Sequence, residues 1–60
     1  IKPIELGMTI SQVEDIMGSP SEMMSDGSEK QNQLWIYRYE NGTKVYLTFT
    51  NYKLFRIEKE

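Results

Sequence analysis

The sequence predicts a two-layer α+β domain, one short helix packed on a three- or four-stranded antiparallel sheet. Three observations predict it. The stretch Leu6 to Pro20, LGMTISQVEDIMGSP, carries the start and stop signals of a single short helix. The second half holds three runs rich in aromatic and β-branched residues, LWIYRYE, TKVYLTFT and LFRIE, separated by turn residues. At 60 residues the chain is one domain, spanning positions 1–60.

The helix begins at Thr9. TISQ fits a capping box, in which the Thr9 hydroxyl accepts from the Gln12 N–H and the Gln12 side chain reaches back to the Thr9 N–H. Ile10, Val13, Ile16 and Met17 then recur at helical spacing and form one apolar stripe. Gly18 supplies a left-handed stop and Pro20 prevents continuation. A helix this short is marginal alone, so it must lay its stripe on a flat apolar surface.

That surface is the sheet. Leu34–Glu40, Thr43–Thr50 and Leu54–Glu58 read as strands, and Met23-Met24 as the start of a shorter fourth. Ser25 to Gln33 is entirely polar and reads as a loop. The Asn41-Gly42 pair suggests a two-residue turn, which would pair Ile36 with Leu47 and divide the apolar residues between both faces. A three-residue loop, Glu40-Asn41-Gly42, with Gly42 left-handed, pairs Trp35 with Leu47 and Tyr37 with Val45. One face then carries Trp35, Tyr37, Tyr39, Val45, Leu47 and Phe49; the other carries Leu34, Ile36, Arg38, Lys44, Tyr46, Thr48 and Thr50. A one-residue slip swaps every side chain between faces, so the hydrophobic pattern decides for the longer loop. A three-residue turn at Asn51-Tyr52-Lys53 places Phe55 and Ile57 on the apolar face, with Leu54 hard to place. Trp35, Leu47, Phe49, Val13 and Ile16 are then the residues whose truncation costs most.

Composition excludes several classes of function. The chain has neither cysteine nor histidine, so it lacks disulfides, thiolate chemistry and the commonest metal ligand and general base. Its formal charge of -2 is spread without like-charge runs, which argues against nucleic acid as a partner. No apolar run approaches the roughly 20 residues that span a bilayer. The abrupt opening on Ile1-Lys2-Pro3-Ile4 reads as a trimmed start, the chain being a fragment or one unit of a larger one.

The remaining candidates read better as ordinary structure. The aromatics of WIYRY and KVY suit the core better than base stacking. Asp26-Gly27-Ser28-Glu29 lacks the spacing of a calcium loop and reads as a solvated turn. Glu14 and Asp15, adjacent on a helix, diverge and make a poor acid–base pair. Met17 suits the core, Met23 and Met24 suit either a core or an adaptable surface, and Asn41-Gly42-Thr43 reads as a plain turn before a glycosylation site. No catalytic, cofactor-binding or metal-binding residue emerges, so the expectation is a non-enzymatic protein without a cofactor.

Gly7-Met8-Thr9, Gly18-Ser19-Pro20, Trp35-Ile36-Tyr37 and Leu47-Thr48-Phe49, in that order, resemble the SmpA/OmlA type of small bacterial envelope lipoprotein domain. The layout is also similar to the repeated domain of the beta-lactamase inhibitor protein. Members of the family often carry a further helix ahead of the Gly-Met-Thr, and often a glycine where this chain has Tyr52. The resemblance implies an extracytoplasmic protein, in the envelope or secreted, that binds other proteins. The residue pattern points the same way, because one helix covers one sheet face only. Leu34, Ile36, Arg38, Lys44 and Tyr46 form the candidate protein-binding patch, an apolar centre with a charged rim. The expected partner is another protein at that face, or a second copy of the chain. The alternative is a structural subdomain of a larger chain or homo-oligomer.

Overall fold

The structure, a computed structural model, describes residues 3–27 and 31–60. Helix α1 (Ile10–Met17) precedes β1 (Glu22–Asp26), β2 (Asn32–Arg38), β3 (Lys44–Thr50) and β4 (Lys53–Lys59). The strands form one four-stranded antiparallel sheet in the order β1-β2-β3-β4, and α1 lies on one of its faces. The α+β arrangement is therefore the one the sequence predicts.

The capping box forms as read. Thr9 Oγ1 accepts from the Gln12 N–H at 3.2 Å, and Gln12 Oε1 accepts from the Thr9 N–H at 2.9 Å. Two of the donors that a helix start leaves unpaired are thereby satisfied. At the other end Gly18 has φ +81 but ψ −171, so it breaks the helix in an extended conformation open to glycine rather than in a left-handed helical one. The stripe that meets the sheet is Ile10, Val13 and Met17, with Val13 wholly buried. Ile16, expected in the core, is only half-buried and stands outside the cluster.

The β2–β3 hairpin has the predicted register: Trp35 pairs with Leu47, Ile36 with Tyr46 and Tyr37 with Val45. The Tyr39 N–H donates to the Thr43 carbonyl and the Gly42 N–H to the Tyr39 carbonyl, both at 3.0 Å, with Gly42 at φ +89. Tyr39, placed on the apolar face, is largely exposed because it stands at the hairpin tip beyond the helix. Met23 and Met24 do start a fourth strand. The polar stretch after them is not wholly loop, since Ser25 pairs with Gln33 and Asp26 with Asn32.

The β3–β4 turn differs from expectation. Thr50 pairs directly with Lys53, and the two intervening residues both have positive φ, Asn51 at 54° and Tyr52 at 66°. This is the primed two-residue turn, matched to the twist of a hairpin. Neighbouring chain holds Tyr52 there: its N–H donates to the Gln31 carbonyl at 2.9 Å and its carbonyl accepts from the Ile10 N–H at 3.1 Å. Phe49 then faces Leu54 and Thr48 faces Arg56, which leaves Phe55 as the extra residue of a bulge. Leu54 enters the core at 2% exposure, whereas Phe55 is 65% exposed and Ile57 is 40% exposed. The expectation that Phe55 and Ile57 extend the apolar face holds for Ile57, which pairs with Leu47 at the sheet margin, and is corrected for Phe55, which is lost to the bulge.

The core consists of Val13, Trp35, Tyr37, Leu47, Phe49 and Leu54, flanked by Ile4, Met8, Ile10, Met17 and Val45. Trp35 and Phe49 pack as tilted rings with centroids 4.8 Å apart. Their polar neighbours are satisfied, with Trp35 Nε1 donating to Gln33 Oε1 at 2.7 Å and the Tyr37 hydroxyl donating to the Gly18 carbonyl at 2.7 Å. The second bond ties the end of α1 to the middle of the sheet.

Candidate functional site

Side chains alternate across a strand, so every residue flanking Trp35, Tyr37 and Leu47 on β2 and β3 points away from the helix. Leu34, Ile36, Arg38, Lys44 and Tyr46 therefore share the opposite face, as predicted, and among the described residues no helix or strand covers it. Pairing extends this face outward. Glu22 and Met24 flank it from β1, opposite Ile36 and Leu34, and Arg56 and Glu58 flank it from β4, opposite Thr48 and Tyr46.

The five residues differ in what they offer a partner. Ile36 is only 7% exposed although no layer lies above it. Its cross-strand neighbours account for this. Tyr46 sits opposite at a non-hydrogen-bonded position, where side chains approach closest, and Glu22 sits opposite on the other side. Ile36 is thus the floor of the patch. Leu34, Lys44 and Tyr46 are half-buried and form its reachable surface, and Arg38 is exposed at the rim.

The rim is internally paired. Arg38 Nη2 lies 3.0 Å from Glu22 Oε1, and Arg56 Nε lies 2.7 Å from Glu58 Oε1. Exposed pairs of this kind add at most about 1 kcal/mol each, so their main effect is to order the rim. The Tyr46 hydroxyl donates to Glu60 Oε2 at 2.9 Å, and this bond, with burial and the carboxylate charge, raises the Tyr46 pKa. Tyr46 is therefore a neutral donor near pH 7, anchored at its tip and apolar along its ring.

Beside this centre lies an open hollow of about 350 Å³, whose lining includes Met24, Asn32, Leu34, Thr48 and Thr50. The strand pattern puts Leu34 on this face and does not by itself bring Met24 to it. That needs the β1–β2 register, Met24 opposite Leu34, in a strand whose sequence mark is two adjacent methionines. Met24 is half exposed, an adaptable wall for such a hollow.

The other candidates stay apart. Glu14 and Asp15 are exposed on the outer side of α1. Of the acidic turn, Ser28 and Glu29 lie outside the described residues. Among the described residues no group of three or more acids, histidines or cysteines could hold a metal ion, and no helix is long and apolar enough to cross a membrane. No family model, curated protein or solved structure matches the chain.

Proposed function

We propose that this chain is a non-enzymatic protein–protein interaction module that docks a partner on the open face of its sheet. The observation that carries the reading is the combination of one helix-covered face with a second face whose apolar centre is rimmed by charge. Tyr46 and Leu34 provide contact surface over an Ile36 floor, and Lys44 and Arg38 provide charge at its edge. Aromatic and arginine side chains around a dry centre are the usual anchors of such interfaces. The fitting partner is a protein segment with apolar side chains for the Met24–Leu34 hollow and a carboxylate for Lys44. The likeness of the Gly-Met-Thr, Gly-Ser-Pro and Trp-Ile-Tyr motifs to SmpA/OmlA-type lipoprotein domains supports the same reading, and with it an extracytoplasmic setting in a bacterial envelope.

A second reading, a structural unit of a homo-oligomer, is favoured by the outer edge of β4 beyond Phe55, with which no described residue pairs. The two are separated by comparing Tyr46→Asp on the open face with Glu14→Lys on the helix, each first shown to be folded by its amide spectrum. Capture of a bacterial envelope protein by wild type and Glu14→Lys, lost with Tyr46→Asp, supports the docking face. Capture that survives Tyr46→Asp, or that fails with Glu14→Lys, overturns it. Absence of capture by any form favours the second reading.

A further inference from the structure

The β4 strand has two unlike halves along its outer edge. The first half is covered: the Gly7 N–H donates to the Leu54 carbonyl at 2.8 Å, and the Leu54 N–H donates to the Met8 carbonyl at 2.7 Å. The Phe55 bulge follows. Beyond it the strand is regular through Lys59, and no described residue pairs with that stretch from outside.

Alternation fixes which backbone groups are left over. The Glu60 N–H donates to the Lys44 carbonyl at 2.8 Å, so Glu60 turns toward β3, and with it Glu58 and Arg56 at every second position. Ile57 and Lys59 turn outward, each with an N–H and a C=O that no described residue pairs and that another strand can take. Such an edge is a template for strand addition.

We infer that a second copy of this chain occupies the edge, β4 against β4 in antiparallel register about a two-fold axis through Ile57, joining two four-stranded sheets into one. The charge pattern selects this occupant and this register. With Ile57 opposite Ile57 of the second copy, the outward N–H and C=O of Ile57 satisfy each other reciprocally. Phe55 then lies opposite Lys59, and Arg56 lies opposite Glu58, twice by symmetry. The Arg56–Glu58 positions are non-hydrogen-bonded pairs, where cross-strand side chains are closest and opposite charge counts most. Shifting the axis to Glu58 would set Glu58 against Glu58. The other edge, β1 with sequence EMMSD, has no base to offer a second copy of itself. A self-complementary patch about a two-fold axis closes at two copies rather than growing a filament. The axis stands perpendicular to the sheet, so both helices lie on one side and both Tyr46 faces on the other. The inference does not depend on the proposed docking function, since it uses the strand edge and not the face.

Sedimentation equilibrium of the 60-residue chain from about 10 μM to 1 mM, the range expected of a short strand pairing, tests it. The expected mass rises from 7.1 kDa toward twice that value. Arg56→Glu weakens the association about tenfold or more, by setting acid against acid at both symmetric positions. The exchange of positions in Arg56→Glu/Glu58→Arg restores it. Arg56 is 65% exposed, so these changes leave the fold in place. Amide exchange at Ile57 and Lys59 slows with concentration in wild type and not in Arg56→Glu. A chain that stays at 7.1 kDa to the highest concentration overturns the inference. So does a dimer indifferent to Arg56→Glu. Capture through Tyr46 is read independently of either result.

Discussion

Replacing Tyr37 by phenylalanine separates the hydroxyl that ties the helix to the sheet from the ring that packs beneath it. The Tyr37 hydroxyl donates to the Gly18 carbonyl at 2.7 Å, while its ring is 95% covered in the core, with 5% exposure. Near pH 7 the substitution removes one hydrogen bond and leaves a half-covered carbonyl, a loss of about 1 kcal/mol. The larger effect appears in alkali. Burial first, then the nearby Tyr39 and Glu14, push the Tyr37 pKa from 10.0 up to about 12. A raised folded-state pKa means that its stabilising effect is complete below pH 10. Above that the unfolded chain releases the proton while the folded one retains it, until the pH passes about 12. Each unit between is about 1.4 kcal/mol, so wild type loses about 1.4 kcal/mol by pH 11 and about twice that in full. For a chain of 60 residues, whose whole stability is of the order of 3–9 kcal/mol, this is a large share. Urea unfolding followed by Trp35 fluorescence at pH 7, 9.5 and 11 measures it. Wild type minus Tyr37→Phe should narrow as pH rises and change sign near pH 11, because only wild type carries this titration. A difference independent of pH would refute the assignment of the shift to Tyr37.

Other substitutions test the packing. Leu54→Ala, emptying a core position, should cost about 2–5 kcal/mol in chemical unfolding. Phe55→Ser beside it should stay within about 0.5 kcal/mol, since the bulge leaves that ring in solvent. Thr9→Ala removes the cap acceptor for Gln12 and should lower stability by about 1 kcal/mol, with amide exchange accelerating first at Gln12. Gly42→Ala forces a side chain into φ +89 and should cost about 1–2 kcal/mol in thermal unfolding without moving the β2–β3 register.

The hairpin from Asn32 to Thr50 was legible because two alternating strands had to agree. Only one register put Trp35, Tyr37, Val45, Leu47 and Phe49 on one side, and this overrode the pull of Asn41-Gly42 toward a shorter turn. The same reasoning reached the candidate face, since fixing one side of β2 and β3 fixes the other. The β3–β4 connection was not legible. A primed turn at Asn51-Tyr52 asks a tyrosine for positive φ, and the bonds that secure it come from Gln31 and Ile10, remote in sequence. The Phe55 bulge then lets Leu54 and Ile57, three apart, share a side that strict alternation denies them. Nor did the exposure of the patch follow from its sequence. Ile36 is hidden by Glu22 and Tyr46, and the first of these comes from a strand whose register depends on a polar hairpin with no alternating apolar signal.

The central claim is that one sheet face is sealed by the helix and the other stands open around Tyr46. Proton relaxation by a soluble paramagnetic probe reads this directly in the free chain. Strong enhancement at the Tyr46 ring, Leu34 and Thr48, with none at Val13, Leu47 or Phe49, is the predicted result. A shielded Tyr46 beside a strongly relaxed Tyr37 would contradict it.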